Sequence, residues 1–156
     1  VDPTAEELVK ITEASIDLVK RFGIEPKVAL LSHSNFGTAN TASARKMRRA
    51  SELLREAQPE LEIDGEMHVL SALNPTLRKT IYSQSTLKGR ANVLVMPNLD
   101  AANIAMGLIR SLTDALLIGP FINGFSKPAH IVIPSVSSRG IFNMTALTVA
   151  DIQHNK

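Results

Sequence analysis

The chain has 156 residues, 44% of them hydrophobic and 21% charged, with a formal net charge of only +2. That length and balance suit one globular domain with a sizeable core. No cysteine means no disulfide, thiolate metal site or thiol nucleophile, and 4% aromatics with no Trp argues against a nucleic-acid partner bound by base stacking.

A helix is predicted at once. Thr4 followed by Glu7 makes a capping box, Pro3 stands just outside it, and Gly23 follows the last periodic residues. Leu8, Ile11, Ile16 and Val19 form its apolar face. Val28 to Leu31 is a short continuous apolar run, as in a strand buried on both faces. The polar turn Ser32 to Thr38 leads to a helix over about Ser43–Ala57. Met47, Leu53 and Leu54 point inward there, and Arg45, Lys46, Arg48, Arg49 and Arg55 outward. Glu62 to Val69 reads as a strand, Pro75 to Tyr82 as a short helix, and Lys88-Gly89-Arg90 as a mobile connection. A second buried strand follows at Val93–Met96, then a helix at Leu99–Leu112. Ala115–Ile118 is another apolar run, ahead of a Gly119-Pro120 turn. His130–Ile133 is a further strand, and Ser137 to Gln153 the closing helix. Strands alternating with helices give an α/β fold, a mostly parallel sheet covered on both faces. Residues 1–156 are expected to form a single domain.

In such sheets ligands bind beyond the carboxyl ends of the strands, where loops feed helix N-termini. Ser32, Ser34, Asn35 and Thr38 lie there and suit a phosphate or acyl carbonyl, although an ordinary capped turn uses the same residue types. Asn103 falls one turn into the helix after Asp100, itself a natural N-cap. Lys127 precedes a predicted strand, and Arg139 sits in the first turn of the last helix. A cation there opposes the helix dipole unless an anion or carboxylate offsets it; a solvent-facing arginine is the plain alternative. His33, His68, His130 and His154 have no metal-ligand spacing, so no metal site is expected. No Walker lysine, complete dinucleotide fingerprint or nucleophile elbow is present. No apolar run approaches the roughly 20 residues of a membrane span, and no secretory signal opens the chain. A cytoplasmic protein with no membrane partner is expected.

Several segments together resemble the second half of phosphotransacetylases. They are Ile24 to Ser32, Ile63-Asp64-Gly65-Glu66, Lys88 to Leu99, Asn103-Ile104, Ile118-Gly119-Pro120, and Gly124 through Lys127-Pro128. The resemblance implies the three-layer α/β/α fold of the phosphate acetyl/butyryl transferases, related to that of isocitrate and isopropylmalate dehydrogenases. In that family Lys-Pro continues into Val-Asn-Asp-Leu-Ser-Arg-Gly, and a later Asp is the proposed base for the CoA thiol. Aligned without a gap, the Ser, Arg and Asp positions are here Ile133, Pro134 and Gly140. A shifted register matches Ser138-Arg139-Gly140 and puts Thr145 at the Asp position. Either way the base is gone, so no catalytic residue is expected. A thiol of pKa near 8.5 is mostly protonated at neutral pH, and losing its base costs roughly a hundredfold or more.

The closing stretch from Lys127 to Leu147 looks like the C-terminal end of large bacterial NADP-dependent malic enzymes. The resemblance implies a C-terminal fragment of such an enzyme, whose silent domain binds acetyl-CoA as effector and inhibits oxidative decarboxylation of malate to pyruvate and CO2. It implies acetyl-CoA near Ser32, Ser34, Asn35, Thr38 and Asn103, with Lys127 and Arg139 toward its phosphates. NADP and a divalent metal (Mg or Mn) would belong to the absent malic enzyme domain. A homo-oligomer through this domain is expected; a phosphate acetyltransferase fragment or a purely structural dimerisation domain are the alternatives.

Overall fold

Thr4 caps the first helix as its spacing requires: its hydroxyl accepts from the Glu7 N–H at 3.2 Å, and the Glu7 carboxylate accepts from the Thr4 N–H at 2.8 Å. The computed structural model describes residues 2–122, 127–132, 134 and 136–154. Helix α1 spans Ala5–Arg21 and ends before Gly23, whose φ of 69° reverses the chain without the Cβ penalty of other residues. Strand β1 is Lys27–Leu31, α2 Ala42–Ala57, β2 Glu62–Met67, α3 Val69–Leu73, α4 Pro75–Ile81 and β3 Val93–Val95. Helices α5 (Leu99–Leu112) and α6 (Ser138–His154) follow. Residues 1–106 form one compact unit and residues 107–156 a second.

The first unit is built on a parallel sheet in the order β2-β1-β3. The period of two along β1 divides its residues between two cores. Val28 and Leu30 face one layer with Leu8 and Ile16 of α1 and Met47 and Leu54 of α2. Ala29 and Leu31 face the other with Met67, Ala72, Leu87 and Ala91. The expected three-layer α/β arrangement is therefore present, with α3 and the 87–91 segment on the second face.

The structure differs from the sequence reading at several elements. Val69 opens α3 rather than closing β2, because the pairing of β2 with β1 ends at Met67 and His68 takes extended N-cap geometry. Leu53 is half-buried instead of fully inward. Ala115–Ile118 and residues 130–132 are not strands. Their apolar side chains include Leu116, Ile118, Ile131 and Val132, all exposed. An apolar run becomes a strand only with a ladder partner on its edge, and among the described residues no strand pairs beyond β3. Ile133 lies outside the described residues. The 88–90 connection is tied at both flanks: Lys88 N–H donates to Glu62 Oε2, and the Gly89 carbonyl accepts from Arg78.

A candidate ligand loop at the carboxyl edge of the sheet

The turn after β1 is held by its own polar groups. Ser32 Oγ accepts from the Ser34 N–H, and Thr38 Oγ1 accepts from the Asn35 N–H at 2.9 Å. The Ser34 hydroxyl is buried; it accepts from the Ala39 N–H and donates to Glu66 Oε1 at 2.8 Å. Asn35, also buried, accepts on one oxygen from the His68 N–H and the Ser71 hydroxyl. The backbone bends through left-handed conformations at Phe36 (φ 46°) and Gly37 (φ 91°). Ser34 and Asn35 thus shape the loop, while Ser32 stays half-buried and Thr38 exposed at its rim. His33 and His68 meet on the same edge, where the His68 ring nitrogen donates to the His33 carbonyl at 2.7 Å.

The group that fixes this loop lies outside it. Glu66 of β2 accepts from the Ser34 hydroxyl, from the Gly37 N–H at 2.9 Å, and from Arg48 through Nη2 and Nε at 2.8 and 3.0 Å. The pairing register slips between Leu30 and Leu31, whose partners are Gly65 and Met67, leaving Glu66 as the extra residue of a bulge. A bulge re-aims a side chain that the strand period would send elsewhere. Burial alone would push the Glu66 carboxyl up; the guanidinium of Arg48, the Ser34 hydroxyl and the Gly37 N–H outweigh it and hold the carboxyl below the usual carboxylate range. Arg48 is raised in turn, first by its hydrogen bonds to Glu66. Arg48 also donates to the Ala39 carbonyl, so one ion pair braces both ends of the turn.

Three residues read from sequence as outward therefore point to structural partners. Arg48 binds Glu66, Arg55 lies 3.6 Å from the buried Asp64, and Lys46 donates to the Pro97 carbonyl and pairs with Asp2. For Arg48 and Arg55 the physical reason is the pair of carboxylates on β2, which cannot be buried without partners. Asp64 accepts from the Gly65 and Thr86 N–H groups. Sequence reasoning also passed over Arg78, 1% exposed, which donates to the carbonyls of Ser71, Ala72, Leu87 and Gly89. Burial lowers its pKa. The signal that could have found these groups was Asp-Gly-Glu inside a strand pattern, since two carboxylates flanking a glycine there demand buried cations.

The remaining predicted residues divide between the units. Asn103 is exposed on α5 in the first unit, and Lys127 and Arg139 are exposed in the second. Among the described residues no three His, Cys, Asp or Glu side chains could hold a metal ion, and no helix is long and apolar enough to cross a membrane.

Among the described residues, cavities open on the first unit beside β3 and at β2. One, of about 430 Å³, follows β3 and α1 and is lined by Leu8, Ile11, Val93, Val95 and Leu99; the mainly apolar wall offers little to orient a polar ligand. The other, of about 350 Å³, lies at β2 among Phe36, Arg48, Arg55, Asp64, Glu66 and Tyr82.

Residues 1–149 match the family model described as Phosphate acetyl/butaryl transferase. The chain is 51% identical over 152 residues to the NAD-dependent malic enzyme of Rhizobium meliloti, and 51% identical over 153 residues to the NADP-dependent malic enzyme of Escherichia coli. Each match takes in 97% of this chain but 20% of the relative, so the chain spans about a fifth of their length. It is 35% identical to the phosphate acetyltransferase of Acetivibrio thermocellus over 99% of this chain and 47% of the relative. Among solved structures, a phosphotransacetylase from Streptococcus pyogenes superposes with a TM-score of 0.91 at 32% identity, covering 99% of this chain and 47% of the other. The EutD phosphotransacetylase from Staphylococcus aureus gives 0.90 at 28% identity, covering 96% and 47%. These matches agree with the parallel α/β sheet, and the chain belongs to the phosphate acetyl/butaryl transferase family as a domain of the kind found in malic enzymes and phosphate acetyltransferases.

Proposed function

We propose that the chain is a non-catalytic, regulatory acetyl-CoA-binding domain of a malic enzyme, a cytoplasmic oxidoreductase that decarboxylates malate with a nicotinamide cofactor and a divalent metal. The observation that carries this reading is the place of the family's base, which holds no carboxylate in either alignment. In the ungapped register it falls on Gly140, where an added Cβ would stand 2.6 Å from Val136 Cγ2, so an aspartate there needs Val136 to turn away. In the shifted register it falls on Thr145, whose hydroxyl donates to the Ile141 carbonyl within α6. The 51% identity to malic enzymes supports the same reading over that of a transferase fragment.

Acetyl-CoA would meet the loop hydroxyls of Ser32 and Thr38 at its acyl or pantetheine end. Ser34 and Asn35 contribute by holding that loop, and Asn103 by its position on α5. Lys127 and Arg139 are the cations assigned to the CoA phosphates, since a multiply charged anion needs charge-assisted donors. Titration calorimetry with acetyl-CoA, beside an assay of acetyl transfer to phosphate, tests the proposal. Heat of binding without transfer is expected. Transfer at a rate within about tenfold of a genuine transferase, or about 1.4 kcal/mol of barrier, would return the chain to the enzymes. Neither binding nor transfer would leave a structural dimerisation domain.

A further inference from the structure

The cavity at β2 carries chemistry that the acetyl-CoA reading does not use. β2 is an edge strand, and the cavity, of about 350 Å³, falls within the size of small-molecule sites. One wall is the pair Phe36 and Tyr82, stacked with ring centroids 4.3 Å apart and planes 19° from parallel. The floor is Asp64 and Glu66, both almost wholly buried.

The hydrogen-bond inventory of this lining is lopsided. The carboxylate oxygens already have donors: Arg48, Ser34 and Gly37 for Glu66, and Gly65 and Thr86 for Asp64. Arg48 uses Nε and Nη2, leaving Nη1 without an acceptor among the described residues. Arg55 makes only the 3.6 Å approach to Asp64, and none of its five N–H groups makes a hydrogen bond among the described residues. Its side chain is 38% exposed, turned to a cavity that has a carboxylate floor and an aromatic wall. What this lining offers a guest is donors and a flat apolar surface. The guest's charge is limited too. Glu52, which also lines the cavity, is offset by Arg49 at 3.5 Å, and Arg48 and Arg55 balance Glu66 and Asp64, so the lining carries little net charge and suits a singly charged guest better than a polyphosphate.

We propose that this cavity binds a small monocarboxylate carrying a flat apolar body, its carboxylate on the fork of Arg55 and Nη1 of Arg48, its body against Phe36 and Tyr82. Planar guanidinium groups match carboxylates in this bidentate way. The inference does not rest on acetyl-CoA binding, although Phe36 and Gly37 belong both to the loop and to this lining.

Benzoate is the probe, titrated into the 156-residue chain and followed by the amide resonances of Gly37 and Gly65 and the Nε–H resonance of Arg55. Saturable shifts with a dissociation constant of the order of 1 mM are expected, a weak but specific affinity. Arg55→Gln should weaken binding about tenfold or more, and Tyr82→Leu should weaken it too, while Arg45→Gln on the same helix leaves it unchanged; circular dichroism checks the fold of each. Absence of saturable shifts overturns the proposal. So does an equal response to benzylamine, or unchanged affinity in both folded variants at Arg55 and Tyr82.

Discussion

Glu66 illustrates how much of a site one side chain can hold. It is 1% exposed and accepts four hydrogen bonds, two of them from Arg48. Removing either partner strands the other. Arg48→Ala leaves a buried carboxylate without its counter-charge, and a loss of about 3–5 kcal/mol in chemical unfolding is expected. Glu66→Ala should cost less, about 2–3 kcal/mol, because Arg48 is a third exposed and regains water. The carboxyls of Glu66 and Glu62 are both lowered in the folded chain. Groups lowered on folding contribute fully above their unfolded value, near 4.5, and that contribution is lost as pH falls through their lower folded values. The urea midpoint should therefore drop as pH is taken below that value, and Glu66→Gln should flatten the drop. Arg139 makes a prediction of a different kind. It is exposed in the first turn of α6, where a cation opposes the helix dipole. If it contacts a CoA phosphate, Arg139→Ala weakens acetyl-CoA binding by about 1.5–3 kcal/mol in calorimetry. In a full-length malic enzyme it should relieve inhibition without changing turnover in the effector's absence.

At the scale of elements, α1 depends on its cap and β2 on its glycine. Thr4→Ala removes one half of the capping box and should lower stability by about 1 kcal/mol, read from the thermal midpoint. Gly65 has φ near 148°, and a Cβ there would meet the Leu30 carbonyl oxygen at 2.8 Å and the Leu30 Cβ at 2.9 Å. Gly65→Ala should cost about 3 kcal/mol, since backbone strain and overpacking add. The elements most readily legible in the sequence were those with strong periodic or terminal signals. α1 had its capping box and Gly23, α2 its Met47 and Leu54 stripe, and β1 its Val28–Leu31 run. α3 was hidden because five residues give too little of a 3.6-residue period to separate from a strand's tail. The polar turn of the loop was legible from its composition. Its bracing by Glu66 and Arg48 was not, because a contact between residues 18 apart leaves no local pattern.

At the scale of the whole molecule, many large apolar side chains are exposed among the described residues. α5 has no buried residue, and Leu99, Ile104, Leu108, Ile109 and Leu112 are all exposed along it. The outer edge of β3 is unpaired among the described residues, beside the apolar cavity it shares with α1. Parallel sheets are stable when covered on both faces and flanked by further strands, and large apolar patches mark association sites. Self-association of the chain is therefore expected, most simply as a two-fold pair. Sedimentation at micromolar concentration should give more than the mass of one 16.9 kDa chain, and a single-chain mass across that range would reject it. Acetyl transfer to phosphate should be absent in the same preparation, as no carboxylate occupies the base position in either register.

The bracing of the loop has a consequence for exchanging parts between relatives. Residues 32–41 can be cut and pasted as a sequence, but their shape is encoded jointly with a carboxylate on β2 and a guanidinium on α2. A chimera that imports the loop alone into a host lacking those two side chains should carry the right letters and the wrong fold of the turn. Its Gly37 and Ala39 amides should exchange with solvent far faster than in the donor. Importing Arg48 and Glu66 with the loop should restore their protection, which makes the transplantable unit three short segments from two helix–strand layers and not one contiguous stretch.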